Sequence, residues 1–325
     1  MSIYSFGHVE MQAYRNICAA IQNHNNHAEI PAMDMENALS IYKKALSESL
    51  QGYMYNQNQI RMRSGFFGCE IDFYLCDEFD NGRIQTDIRV IPEIAEIMNI
   101  ARKEKTVYEA IKVVYAYFVE NFEYAYDQTN ELKYHSALSV FLYRKSVCEG
   151  FALALSNILN RLGIPCGIIT GYSGLNGTRG AHAWNIVELD KKYYHLDVTW
   201  DICIKDKEGK LFDYFLLDDR LAQRDHRWND TSVPNASDST RELYTYKGLC
   251  CRNEQECISV IVSGLKQKKT SIDFRFISVR RGVGISLEDV RRYFELAVNQ
   301  GHFAYRSVSF SVNGTCGTVH FSVKY

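Results

Sequence analysis

The chain has 325 residues, 46% hydrophobic and 23% charged, which suggests two or three domains with ample material for a core. Basic and acidic side chains nearly balance at 37 and 39, and no basic block tracks phosphates, so nucleic-acid binding is excluded as a default. The N-terminus shows no basic-then-apolar leader, and no run of roughly 18 apolar residues suggests a membrane span. A cytoplasmic protein with no membrane partner is therefore expected. Its 10 cysteines form no C-x-x-C pair, so reduced thiols are expected, with no structural metal site and no cofactor.

In chain order, Met35 to Leu50 has apolar residues at helical spacing. Gln59 to Leu75 reads as two strands around a Ser64-Gly65 turn. Thr106 to Phe122 returns to helical pattern, and Tyr124 to Tyr244 is strongly patterned. After a polar stretch, Lys266 to Thr270, residues Ser271 to Val279 alternate as a strand. Ser286, Asp289 and Gly301 carry the start and stop signals of a helix, and the chain closes as a hairpin with Asn313-Gly314 at its turn. A helix followed by a hairpin thus occurs near both ends, the outline of a duplicated flanking module. The expected organisation is an N-terminal α+β region (1–100), a central domain (101–248) and a C-terminal α+β domain (249–325).

Within the centre, RKSVCEGFALALSNILNRLGIPCGIITGY contains Ser146-Val147-Cys148-Glu149, which fits a capping box. Ser146 would cap a helix from about Val147 to Leu162. Phe151, Leu155, Ile158, Leu159 and Leu162 would face the core, with Gly163 and Pro165 ending the helix. Cys148 then sits in the first turn, where free N–H groups favour a thiolate. Glu149 would oppose that charge unless its carboxylate turned back onto the cap. The competing reading is a buried structural thiol.

Gly180 to Leu189 and Lys192 to Trp200 both alternate, separated by Asp190-Lys191. A two-residue turn there sets His182 opposite Thr199, with Asp197 as its diagonal neighbour on the same face. A one-residue slip would separate them. Cysteine, histidine and aspartate are the nucleophile, base and orienting acid of a thiol enzyme. His195 faces the same way as Asp197, and spacing alone leaves it open as a second candidate base.

The blocks SVCEGFALALSNILNRLGIPCGIITGY, HAWNIVEL and YYHLDVTWD, in this order, resemble the transglutaminase-like superfamily, from near His135 to Tyr214-Phe215. The resemblance implies an α+β fold with a papain-like core, in which a cysteine-bearing helix packs on an antiparallel sheet. It maps the nucleophile to Cys148, the base to His182 rather than His195, and the acid to Asp197. Trp184 and Trp200 fall in its packing positions. Many relatives carry a glutamine before the cysteine helix, where it helps stabilise an oxyanion. His135 stands there in this chain, beside a second donor in the Cys148 backbone N–H. The calcium sites of animal transglutaminases and the zinc cysteines of peptide N-glycanases have no counterpart. Asp218-Asp219 and Asp225-His226 read as a solvated charged segment rather than a metal cluster. The glycine-bearing loop from Gly171 to His182 lacks the lysine and following helix of a phosphate loop.

The expected activity is acyl transfer through a thioester at an amide of a protein or peptide substrate, with hydrolysis favoured. Crosslinking to an amine and a non-catalytic interaction module are the alternatives. Sequence does not choose the acceptor, because pocket shape and water exclusion set it.

Overall fold

The computed structural model describes residues 2–49, 52–65, 68–76, 90–129, 131–174, 180–204, 212–277 and 284–325. Its first module is α1 (His8–Gln22), β1 (His27–Ile30), α2 (Met35–Glu48), β2 (Tyr55–Ser64) and β3 (Cys69–Leu75). The Asp34 carboxylate accepts the Asn37 N–H at 2.8 Å, which caps α2. The three strands form an antiparallel sheet in the order β1-β3-β2.

Two helices follow, α3 (Val90–Arg102) and α4 (Val107–Asn121). Thr106 caps α4, because its hydroxyl accepts the Glu109 N–H at 3.1 Å. Strand β4 (Glu123–Tyr124) pairs in parallel with β5 (Lys145–Ser146), on either side of α5 (Ala137–Tyr143). Helix α6 (Cys148–Arg161) ends before Gly163, whose φ of 78° suits a residue without Cβ.

The central sheet holds β6 (Cys166–Ser173), β7 (Gly180–Leu189), β8 (Lys192–Leu196), β9 (Phe215–Leu217) and β10 (His226–Arg227). Its order is β10-β6-β7-β8-β9, antiparallel throughout. Asn185 in β7 ties it to α6, donating to the Ala152 carbonyl at 2.8 Å and to the Gly167 carbonyl at 3.1 Å. The fold is therefore α+β, with the cysteine helix packed on an antiparallel sheet. One expectation needs correction: the second strand does not reach Trp200. It stops at Leu196, and Val198–Ile204 form helix α7. The Asp197 carboxylate accepts the Trp200 N–H at 3.1 Å, so an N-cap competes successfully with continued alternation.

After two short helices, α8 (Asp219–Ala222) and α9 (Leu243–Tyr246), the last module contains β11 (Cys250–Cys251), α10 (Glu254–Lys266), β12 (Ser271–Phe276), α11 (Leu287–Gly301), β13 (Ser307–Asn313) and β14 (Thr318–Lys324). Ser286 and Asp289 make the expected reciprocal cap of α11. Strand β12 pairs with β14, and β14 with β13, both antiparallel. From α10 onward the order is helix, strand, helix, hairpin, with the first strand beside the last. The first module has that same topology. The C-terminal sheet adds β11, parallel to β12.

One cluster of buried apolar side chains runs from Ala13 to Tyr244, and another from Cys251 to Val323. No helix among the described residues is long and apolar enough to cross a membrane. Asp213, fully buried before β9, joins the last module to the rest. Its carboxylate accepts from Thr318 Oγ1 at 2.6 Å, Asn313 Nδ2 at 3.0 Å, His320 Nε2 at 3.1 Å and the Tyr244 hydroxyl at 3.2 Å. Its carbonyl accepts from the buried Arg275 guanidinium at 2.7 Å. Asp213→Ala keeps the carbonyl that Arg275 uses but leaves His320, Thr318 and Asn313 short of a partner, and should cost about 3–5 kcal/mol in urea unfolding. Limited proteolysis should then release the C-terminal module first. A cost under about 1 kcal/mol would mean that other contacts hold the module.

Candidate active site

Helix α6 begins at Cys148, with Val147 as N-cap, so the expected Ser146 cap does not form. Ser146 lies in β5, and its hydroxyl donates to the Tyr134 carbonyl at 2.7 Å. The same carbonyl accepts the Val147 N–H at 3.1 Å. These bonds pin the strand-to-helix turn just before the thiol. Gly150 permits the close approach, since a Cβ there would lie 2.1 Å from Ser146 Oγ and 2.6 Å from the Ser136 carbonyl oxygen. Cys148 ends up only 9% exposed.

Glu149 does not turn back onto the cap. Its carboxylate accepts from Lys43 Nζ at 2.9 Å, Asn58 Nδ2 at 2.8 Å and His135 Nδ1 at 2.5 Å. Burial would raise its pKa, but His135 and Lys43 outweigh that and lower it to about 2. Glu149 in turn raises the pKa of His135. The other ring nitrogen, His135 Nε2, donates to the Thr129 carbonyl at 2.8 Å. With both nitrogens committed, His135 has no free donor to offer an oxyanion beside Cys148.

His182 comes from β7 and Asp197 from the junction of β8 and α7. Asp190 and Lys191 both take positive φ, 54° and 60°, in the tight turn expected between the strands. The resulting register pairs Asn185 with Leu196. His182 Nε2 donates to Asp197 Oδ2 at 2.6 Å. Cys148 lies near enough to the same imidazole to add to the rise in its proton affinity. Burial opposes a charge on His182, but Asp197 overrides it and raises its proton affinity well above the ordinary value. Burial would likewise raise Asp197, but His182 and then His226 hold its carboxyl well below the usual range.

Trp184 stacks on His182 with centroids 5.8 Å apart, and Trp200 approaches edge-on at 6.5 Å. The Trp184 indole donates to His195 Nδ1 at 3.0 Å, and His195 Nε2 donates to Asp219 at 2.8 Å. His195 is thus a buried structural ring with both nitrogens occupied.

Sequence reasoning missed His226. The segment read as solvated is largely buried, with Asp218, Asp225 and His226 at 6%, 4% and 2% exposure. His226 Nε2 donates to Asp197 Oδ2 at 2.8 Å, and Nδ1 donates to Asp225 at 2.5 Å. The Tyr214 hydroxyl donates to the other Asp225 oxygen at 2.6 Å. The available signal was Trp228 two residues on, whose ring packs on Trp184 and His195, but charge density masked it. His182, Asp197 and His226 each offer one possible metal-ligand atom within 4.8 Å of the others. Their N···O separations of 2.6 and 2.8 Å are shorter than the roughly 3.3 Å kept by two ligands of one tetrahedral zinc. They are hydrogen bonds, and no ion fits between these atoms as placed.

A family model described as the transglutaminase-like superfamily matches residues 96–198. The kyphoscoliosis peptidase of Mus musculus is 22% identical over 181 residues, 50% of this chain and 27% of its own length. Among solved structures, a protein described as a TGase aligns at TM-score 0.31 and 18% identity, covering 56% of this chain and 52% of that one. A candidate cysteine protease from Cytophaga hutchinsonii aligns at TM-score 0.28 and 20% identity, covering 43% of this chain and 61% of that one. The chain spans less than two thirds of each of these relatives.

The Glu149 cluster gives a pH test. Its pKa falls from 4.5 to about 2 on folding, so its ionised form stabilises fully above pH 4.5. That contribution, no more than about 3 kcal/mol, fades as pH drops toward 2. Glu149→Gln should lower the urea midpoint at pH 7 and flatten the loss of stability below pH 4.5. Parallel wild-type and variant curves across that range would sink this assignment.

Proposed function

We propose, for a chain whose residues 96–198 are a transglutaminase-like domain, that Cys148, His182 and Asp197 carry out acyl transfer at a protein or peptide amide. The observation that carries this reading is a thiol at the first position of α6 that acts on His182, an imidazole held by Asp197 at 2.6 Å. The thiolate attacks the amide carbonyl carbon, and the Cys148 backbone N–H faces the developing oxyanion. His182, as imidazolium, donates its proton to the leaving nitrogen as the C–N bond breaks. A thioester remains on Cys148, with His182 neutral. His182 then takes a proton from the acceptor, which attacks the thioester and releases the thiolate. Asp197 holds the ring and offsets its charge throughout.

Water as acceptor gives peptide hydrolysis or glutamine deamidation; an amine gives a crosslink. The name of the mouse peptidase favours water, and hydrolysis is the preferred reading.

Iodoacetamide near pH 6 should label one thiol at least about tenfold faster than ordinary cysteines, and Cys148→Ala should abolish that fast phase. If no thiol stands out, the ion pair does not form. His182→Ala should slow turnover by about 10²–10⁴-fold. A glutamine peptide offered with a labelled amine should release ammonia without taking up label. Incorporation of the amine would overturn hydrolysis in favour of crosslinking.

A further inference from the structure

Asp197 carries more than His182. Both imidazoles reach the same oxygen, Oδ2, while Oδ1 accepts the Trp200 N–H. The rings of His182 and His226 lie 5.4 Å apart by centroid. Gly171 explains how they share a face. In β6 it pairs with His182 of β7, while Ser173, two residues along on the same face, pairs with His226 of β10. Gly171 places no side chain between them.

His226 is almost fully buried and faces a carboxylate on each side, Asp197 through Nε2 and Asp225 through Nδ1. An ionised carboxylate only accepts hydrogen bonds, so the ring donates from both nitrogens, and a ring protonated at both is a cation. The other titratable groups near it are His182, the Tyr214 ring at 5.8 Å and His195. His195 is pushed toward its neutral form by burial, and the Tyr214 hydroxyl stays protonated on Asp225. His182, Asp197, His226 and Asp225 then make a buried line of alternating charge.

We propose that His226 is a positioning residue acting through Asp197: as a second imidazolium between two aspartates, it orients the Asp197 carboxylate and limits how tightly Asp197 retains the charge on His182. The inference rests on the acyl-transfer reading above. Its consequence is a proton that can leave. A buried imidazolium paired with an undivided carboxylate holds its proton strongly, whereas the reaction needs that proton delivered to the leaving nitrogen. Sharing Oδ2 with a second cation weakens that hold. Burial acts against the charge of His226, and the two carboxylates outweigh it, in keeping with the geometry.

The test uses the full-length protein and iodoacetate. This reagent is anionic, so its reaction with Cys148 falls as His182 loses its proton, and the alkaline limb of the rate profile reports His182. His226→Gln can keep an amide N–H toward Asp197 but removes the cation. Its alkaline limb should move upward by about one pH unit. A merely structural role would lower stability and leave the limb in place, and an unmoved limb in folded H226Q overturns the proposal. Histidine-labelled nitrogen NMR of the wild type supplies an arm that needs no folded variant. Both His226 ring nitrogens should be protonated at pH 7, and a neutral tautomer there overturns the proposal. Tight stoichiometric zinc at these residues would overturn it too. If wild-type Cys148 reacts no faster than an ordinary thiol, the acyl-transfer reading fails instead, and the NMR arm still decides whether His226 is charged.

Discussion

A buried carboxylate can stay ionised only if donors meet its oxygens, and both oxygens of Asp197 are met. Two imidazoles and a helix N–H surround its side chain. Its backbone is held as firmly: the N–H donates to the Tyr214 carbonyl at 3.0 Å, and its carbonyl accepts the Tyr115 hydroxyl at 2.8 Å. Strands β7, β9 and β10 and helices α4 and α7 therefore converge on one residue. Any of them out of place would leave a buried charge or a buried donor unpaired, at a cost of several kcal/mol. Much of the central fold can be understood as the scaffold that keeps this anion satisfied while leaving His182 in reach of Cys148.

The flanking modules take part in that scaffold. From the first module, Lys43 offsets the charge of Glu149, the carboxylate that follows Cys148, and Asn58 donates a hydrogen bond to it. From the last, Thr318, His320 and Asn313 grip Asp213, the residue before Tyr214. Tyr214 donates to Asp225 behind His226, so the C-terminal module is anchored one residue from the chain of hydrogen bonds that ends at Asp197. The two modules share a topology and brace the core differently. One compensates a charge beside the thiol; the other fixes the strand behind the aspartate.

The ten cysteines show how little residue type says without context. Cys166 lies five residues beyond the end of α6, fully buried, and burial pushes its thiol well up. Cys148 has a helix N-terminus, a thin opening to solvent and the His182 imidazole nearby. The two thiols belong to the same quoted stretch and to opposite chemical environments.

Local physics was legible in the sequence wherever one segment carries the whole signal. The cap of α11, the extent of the cysteine helix to within a residue or two, and the Asp190-Lys191 turn with its register follow from short-range spacing. The turn put a histidine and an aspartate of the candidate site on one face, but spacing left His195 as a rival, and the family resemblance chose His182 and pointed to Cys148. The sequence misled where two local signals compete or where the partner is distant. Asp197 could continue a strand or cap a helix, and contact with Trp200, Tyr214 and Tyr115 selects the cap. Ser146 and Glu149 spell a capping box, yet Tyr134, Lys43 and His135 draw both side chains away. Charged residues from Asp218 to Asp230 look solvated because sequence displays charge and conceals pairing. Only the folded chain brings His226, 29 positions beyond Asp197, onto the same oxygen as His182, since long-range pairing alone makes burying those charges affordable.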